Sequence, residues 1–470
     1  MSVAANSPLR PVPTTDVDTI PSVVASLRRS FDAGHTRPLE WRRQQLEQLR
    51  KMVAEHDQEF VDALAADFGK PDIEARAMDL GQVPTEVAIA LKNLKKWTRP
   101  QRVGGMAFLG RSRIVREPLG VVLIIAPWNY PVGLLLSPLV GAIAAGNCAV
   151  LKPSEVTVHT SALLAKLVPQ YLDPAAVAIV QGGVEETTAL LDERWDHIFY
   201  TGGGRVGRVV MKAASEHLTP VTLELGGKSP CIVDADADLP VTARRIAWGK
   251  FLNAGQTCVA PDYVLVHESR EQDLLRELKG AIQSFYGDDP MGSGDYARLV
   301  DARHHERVAK LMDGQEVAVG GRVDAERCMI EPTVLRNVAP DAPIMQEEIF
   351  GPVLPVLTVK SVEQAIDFVN ERDKPLALYV FTKDEGAQQQ VLDRTSSGGV
   401  CVNGTVMQLA NPNLPFGGVG ESGTGSYHGR HTFETFSNRK SVLVRGFRFD
   451  PSLMYPPYKS WKKKLMKKAF

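Results

Sequence analysis

Between residues 22 and 70, charged and apolar positions alternate at helical spacing, as in EWRRQQLEQLRKMVAEHDQEFVDALAADF. That period predicts helices with one buried face. From Val121 onward the texture changes. Short apolar runs at 121–126, 149–151, 177–180 and 197–200 alternate with longer helix-compatible segments, which predicts βαβ units and a mostly parallel sheet. After Gly227 the alternation restarts, with strands expected at 230–233, 263–266, 353–359 and 376–381 and helices at 239–253 and 362–372. Two successive α/β systems predict two lobes with a crevice between them as the natural ligand site. No internal repeat or low-complexity tract divides them.

One stretch departs from this rhythm. Residues 118–151 carry no charge, a run longer than the roughly 20 residues a membrane helix needs. Pro127, Pro131 and Pro138, with polar Asn129 and Asn147, interrupt it, and its start is a short β-branched run. A buried strand accounts for it better than a membrane span. A transporter, the alternative, predicts solubility only in detergent.

Composition narrows the picture. The 470 residues are 44% apolar and 23% charged, a globular balance large enough to bury a core without disulfides or metals. Lysine plus arginine (54) nearly cancels aspartate plus glutamate (55), so nothing in the overall charge calls for nucleic acid. The charge is uneven, though: Lys459, Lys462, Lys463, Lys464, Lys467 and Lys468 form a basic tail on a mildly acidic body. Five cysteines at irregular spacing, none in C-x-x-C, suit a reducing compartment. Residues 1–21 hold prolines and no apolar signal core, so a flexible arm over 1–20 and a cytoplasmic location are expected.

The glycine patterns come next. Gly202-Gly203-Gly204-Arg205-Val206-Gly207 is a literal G-x-G-x-x-G after the run HIFYT, and Gly418 to Gly423 is another. Two hits in one chain show how weak the pattern is alone. The first has a strand before and a helical segment after, where free N–H groups would face a pyrophosphate; a ligand-free turn is its alternative. The second lacks a preceding strand and reads as a loop. Glu224 lies where a dinucleotide fold places its ribose-binding acid.

Several side chains carry candidate chemistry. Cys258, in FLNAGQTCVAPD, follows Gly255, Gln256 and Thr257, where a turn could expose it as a nucleophile; Cys148, Cys231 and Cys401 sit in apolar runs and read as small core residues. An ordinary thiol is only a few per cent ionised at neutral pH, so a nucleophile there needs activation. Glu224, in PVTLELGGKSP, is a carboxylate in an apolar strand. It serves either as a base of raised pKa or as the partner of Lys228 or an arginine. Asn129, between two prolines in APWNYP, is either a rigid oxyanion donor or a turn residue. Lys152 and Glu155, in LKPSE, follow a strand and could hold ribose hydroxyls or simply pair at the surface. No metal site is expected. His304-His305-Glu306 has the wrong spacing, and Asp234, Asp236 and Asp238 begin a calcium-loop pattern that Leu239 and Arg245 break, leaving a helix start.

In this order, PWNYP, LKPSE, FYTGGGRVG, LELGGKSP, GQTCVAPDY, EEIFGPVLPV and LPFGGVGESGTGSYHG resemble the NAD(P)-dependent aldehyde dehydrogenase superfamily. WNYP, APDY and GSYHG look most like its class 3, fatty-aldehyde-type branch. The resemblance implies an α/β fold of two Rossmann-type domains, cofactor-binding (21–94 and 118–226) and catalytic (227–410). It adds a small β oligomerisation arm (95–117 and 411–448), leaving a tail at 449–470. It implies Cys258 as nucleophile, Glu224 as general base and Asn129 as oxyanion donor. Trp128, Lys152, Glu155, Gly202, Gly203 and Gly207 would contact the cofactor, with Glu348 and Phe350 placing its nicotinamide end. This reassigns the ribose from Glu224 to Glu155. NAD is the expected cofactor, with NADP also admitted, because Glu155 opposes a 2′-phosphate by charge. The implied product is a carboxylic acid and the implied assembly a homodimer. Trp461, Leu465, Met466 and Phe470 among the tail lysines could rest on an anionic membrane surface. The rivals are a CoA-acylating relative, against which Glu224 speaks, and a non-catalytic NAD-binding one.

Overall fold

The computed structural model describes residues 14–104, 110–448, 450 and 452–469. Helices Ile20–Asp32, Leu39–Glu55, Asp57–Phe68 and Gln82–Thr98 occupy the charged-apolar segment and its continuation. Leu46, Leu49, Met52 and Val53 form the inward stripe of the second, so the helical period was the right reading. Residues 15–20 pack instead of hanging free. Thr15 exchanges hydrogen bonds with the Gln181 backbone, and Ile20 is buried; residues 1–13 of the expected arm lie outside the described residues.

The first sheet has six strands in the order Gly423–Thr424, Val221–Glu224, His197–Thr201, Val121–Ile125, Cys148–Lys152, Val177–Ile179. All pair in parallel except the two-residue edge strand. Val122 and Ile124 enter one core while Val121, Leu123 and Ile125 enter the other. The period-2 alternation of a strand buried on both faces explains why the run carries no polar residue. The uncharged 118–151 stretch is this strand, a fully buried helix Gly133–Ala145 and the next strand. Among the described residues no helix is long and apolar enough to cross a membrane.

The second sheet has seven strands, ordered Glu316–Val319, Thr333–Arg336, Val353–Val359, Tyr263–His267, Pro230–Val233, Ala377–Phe381, Gly399–Val402. Only the first runs antiparallel to its neighbour. Separate cores cover its two faces. The Leu239–Phe251 helix stops before the expected 253, because Asn253 and Ala254 turn left-handed, with φ of 54° and 52°. Asp238 caps that helix, Asp234 accepts from the Ala235 N–H and Asp236 from the Lys383 N–H, so the aspartates of the calcium-like pattern hold backbone in place.

Strands Gln101–Val103, Arg111–Pro118 and Ser437–Val444 form a third, antiparallel sheet. Of the expected arm, residues 95–98 instead end a helix, and 411–436 run back over the first sheet. There Gly423 pairs with Glu224 and Phe433 packs on Trp97. Apolar surface on Phe433 and Phe436, both buried, draws that segment inward. Residues 460–469 form a terminal helix.

Candidate active site

Register gathers the candidate side chains on one sheet edge. Ile125 is level with Lys152 and Tyr200, and Thr201 with Glu224. Asn129, Lys152, Gly202 and Glu224 therefore leave neighbouring strands at their carboxyl ends, around Val121–Ile125, where the strand order reverses. That switch point is where open α/β sheets bind ligands.

Glu224 ends its strand buried, and neither carboxylate oxygen has a hydrogen-bond partner. Burial pushes its pKa well above the ordinary carboxylate range. Lys228, the expected partner, pairs instead with Asp262 and also donates to the carbonyls of Ile344 and Glu347 at 2.8 and 2.9 Å. Asp262 in turn accepts from the Ile349 N–H at 2.9 Å, and Arg307 donates to the Ile349 carbonyl at 2.6 Å. These three residues pin the loop that carries Glu348 and Phe350. Lys228 and Asp262 stand within the motifs, but a loop-pinning ion pair between residues 34 apart has no local pattern in the sequence.

Glu348 lies over Gly226, where a methyl group would meet its carboxylate at 2.0 Å. The first glycine of LELGGKSP is thus explained by a crossing carboxylate, and the second, Gly227, has φ of +154°. Burial, followed by the nearby charge of Asp262, raises the Glu348 pKa to about 8, against the hydrogen bond from the Gly227 N–H. Phe350 adopts φ of 48° and meets Trp128 edge-on, with centroids 5.4 Å apart; His304 closes on Trp128 from another side at 4.9 Å.

Cys258 follows the kinked turn Leu252–Gly255 and lines a cavity of about 360 Å³ with Met78, Tyr130, Leu134, Trp248 and Leu409. Desolvation raises the thiol pKa, and the negative charges of Glu348 and Glu224 add to it, outweighing the N–H groups of Cys258 and Val259 that favour thiolate. The expected local activation is therefore not built into the resting site, and ionising the thiol needs a proton acceptor. Cys148 and Cys231 are buried as expected, whereas Cys401 is only half-buried because its strand is the sheet edge.

Asn129 is buried, and its Nδ2 donates to the Gln256 carbonyl at 3.0 Å, leaving a second N–H. Its Oδ1 has no partner. Tyr130 and Thr257 share a hydroxyl hydrogen bond of 2.7 Å, so the turn bearing Asn129 and the turn bearing Cys258 are joined at two points.

The glycine turn opens the helix Gly204–Ser215, with Gly203 as its cap. A methyl at Gly203 meets nothing within 4 Å, whereas one at Gly207 would meet Leu225 at 2.9 Å. Gly203 leaves the helix amino end open to a phosphate, and Gly207 lets the helix close on the chain leaving the Glu224 strand. The Gly202 N–H donates to the Glu224 carbonyl at 3.0 Å. Lys152 is buried and donates to the Pro153 carbonyl at 2.8 Å and to Glu155 at 3.3 Å. Burial lowers its pKa, with Glu155 opposing.

Parallel sheets that gather their reactive side chains at a switch point, beside a glycine turn on a helix amino end, are the architecture of nucleotide-dependent α/β enzymes. Residues 2–442 match the model of the Aldehyde dehydrogenase family, and the chain belongs to that family; it is an aldehyde-oxidising oxidoreductase. It is 48% identical over 455 residues to "Aldehyde dehydrogenase family 3 member A2" of Rattus norvegicus, covering 95% of this chain and 94% of that protein. To "Aldehyde dehydrogenase, dimeric NADP-preferring" of the same organism it is 49% identical over 445 residues, with 94% and 98% covered. Of solved structures, "Substrate bound state of Staphylococcus Aureus AldH" superposes with a TM-score of 0.94 at 44% identity, covering 96% of this chain and 99% of that one. The NAD+-complexed aldehyde dehydrogenase of Mycobacterium tuberculosis gives 0.84 at 30% identity, with 92% of each chain covered.

Proposed function

We propose that this enzyme oxidises medium- or long-chain aliphatic or aromatic aldehydes to carboxylic acids through a thioester on Cys258. The observation that carries the reading is Glu224. A carboxylate buried without a single hydrogen bond is costly unless it serves chemistry, and its charge acts on the Cys258 thiol. Cys258 gives its proton to Glu224 and attacks the aldehyde carbon. The second N–H of Asn129 and the backbone N–H of Cys258 stabilise the thiohemiacetal oxyanion. NAD(P), when bound, supplies the hydride acceptor. Glu224 releases the thiol's proton to solvent and, as carboxylate again, takes one from the water that hydrolyses the thioester.

The cofactor fits what the chain presents. Gly202, Gly203 and Gly207 leave a helix amino end clear for the pyrophosphate, and Lys152 and Glu155 stand beside it to hold the ribose. Trp128, Glu348 and Phe350 flank the nicotinamide end. Glu155 favours NAD by charge, although the rat relative's name says NADP-preferring. The first sheet acts as the cofactor domain and the second as the catalytic domain, in a cytoplasmic homodimer joined through the third sheet. The terminal helix exposes Trp461, Leu465 and Met466 among lysines. That arrangement supports weak contact with an anionic membrane surface.

The test is nicotinamide reduction with NAD or NADP and a medium-chain aldehyde, beside Cys258→Ala and Glu224→Gln. Wild-type turnover, a dead Cys258→Ala and a Glu224→Gln that forms acyl-enzyme but releases it slowly would support the reading. Turnover that requires CoA would replace it with acyl transfer. Silence under all of these conditions would leave the site without catalysis.

A further inference from the structure

The segment 70–79 sends three ionisable side chains into the protein, and none belongs to the chemistry described so far. The Lys70 ammonium is fully buried. It donates to the Asn129 carbonyl at 2.9 Å, stands 3.3 Å from Asp79, which is equally buried, and lies 4.0 Å from the centroid of the Tyr130 ring. The other Asp79 oxygen accepts from the Gly133 N–H at 2.6 Å. Glu74, between them in sequence, accepts from the Asn253 N–H at 2.9 Å. Asn253 is left-handed, and its side-chain amide donates to the carbonyls of Asn129 and Gln256, each at 3.1 Å.

These bonds close a frame. Lys70 and Asp79 grip the two ends of the turn 129–133, and Glu74 grips the head of the turn 253–258. Asn129 and Asn253 tie the two turns together. Asp72–Glu74 is one helical turn and Ala75–Leu80 winds as a π-helix. Lys70 and Asp79, nine residues apart, meet across this segment as an ion pair. Burying a lysine and an aspartate costs several kcal/mol apiece unless both are fully paired, and apolar residues would fill the space more cheaply. What the pair supplies instead is a fixed position for one peptide carbonyl.

We propose that Lys70 is a positioning residue for the oxyanion site: through the Asn129 carbonyl it fixes the amide that stabilises the thiohemiacetal, with Asp79 holding the ammonium in place. This inference rests on the reading of Asn129 as the oxyanion donor. An oxyanion donor works only when it is held where charge develops, and a displacement of about 1 Å can cost on the order of a hundredfold in rate. The Lys70 ammonium bears on acylation, where the oxyanion forms, and not on cofactor binding or on the thiol's own reactivity.

The test compares Lys70→Met, Lys70→Met with Asp79→Asn, Asn129→Ala, and Asn129→Ala with both Lys70→Met and Asp79→Asn. Single-turnover acylation, the KM for NAD, and iodoacetamide alkylation of Cys258 are measured in each. Lys70→Met alone strands a buried carboxylate and is expected to be unstable. The Lys70→Met/Asp79→Asn pair removes both charges while keeping an acceptor for Gly133, so its melting temperature should return close to that of the wild type. Its acylation should nonetheless fall by about ten- to a hundredfold, with the KM for NAD and alkylation unchanged. In the Asn129→Ala background, the Lys70→Met/Asp79→Asn pair should add almost no further loss of acylation, as expected of groups acting as one. Recovery of wild-type acylation in the neutral pair, while Asn129→Ala stays slow, would make Lys70 a packing element only. So would a full additional loss on top of Asn129→Ala. Wild-type acylation in Asn129→Ala would instead overturn the oxyanion assignment, and this inference with it.

Discussion

Glu224 and Glu86 are carboxylates in apolar surroundings whose titration reports on different things. Raising the Glu224 pKa above the ordinary range keeps the acid neutral at lower pH, so its capacity to accept a proton grows as pH rises. Hydrolysis of a preformed acyl-enzyme isolates this group, because the thiol is then esterified. Its rate should climb as pH rises past the ordinary carboxylate range in the wild type and stay flat and slow in Glu224→Gln; stopped-flow release of the acid reads both. Glu86 accepts twice from the Gly429 N–H, and burial raises its pKa from 4.5 to about 7. Below 4.5 the carboxyl is protonated in both folded and unfolded chains. Between 4.5 and 7 the folded chain binds the extra proton, so stability falls as pH rises, and the loss is complete above 7. The difference amounts to about 3 kcal/mol. Glu86→Gln retains an acceptor for Gly429 and should remove this slope. It should be more stable than wild type at pH 8 and about equal at pH 4, as denaturant unfolding at the two pH values would show. Cys258, Glu224 and Asn129 were nominated by motifs whose order resembles one family. The isolation of Glu224 was not legible, because Lys228 lies four positions away and only the fold sends it to Asp262.

At the scale of elements, two turns decide where reactive groups stand. Gly255 has φ of +74°, and a methyl there would meet the Gly351 carbonyl at 2.3 Å. Gly255→Ala should therefore destabilise the protein by about 2 to 4 kcal/mol and misplace Cys258, which thermal melting and thiol alkylation would both detect. At the other turn, Gly203 has φ of −74° and open space around it, so Gly203→Ala should change stability by less than about 1 kcal/mol. The eight strands expected from the sequence lie within a residue or two of their positions, since a run buried on both faces excludes polar residues by itself, whereas Glu316–Val319, Thr333–Arg336 and Gly399–Val402 were not expected. The end of the Leu239–Phe251 helix was missed. Asparagine tolerates a left-handed turn, but Ala254 does not advertise one, and the conformation is held by Glu74 from across the fold and by Gln256 three residues on.

For the whole molecule, the edge strand Ser437–Val444 presents Leu443 and Val444, 51% and 48% exposed, next to a fully exposed Phe447. Exposed apolar residues on an open strand edge invite a second copy. Light scattering should give a mass of about twice 51.4 kDa, and Leu443→Asp with Val444→Asp should shift it toward the monomer. The sequence by itself determined the fold class, the two α/β systems and the motifs that nominate Cys258, Glu224 and Asn129. Those follow from hydrophobic period and from residue types at fixed spacing, which are local properties of the chain. Only the tertiary structure decided the environment of each reacting group: that Glu224 has no partner, that the Cys258 thiol is pushed up instead of activated, and that Lys70 stands behind Asn129. Burial, field and hydrogen bonding depend on residues far apart in the chain, and folding alone brings them to within a few ångströms.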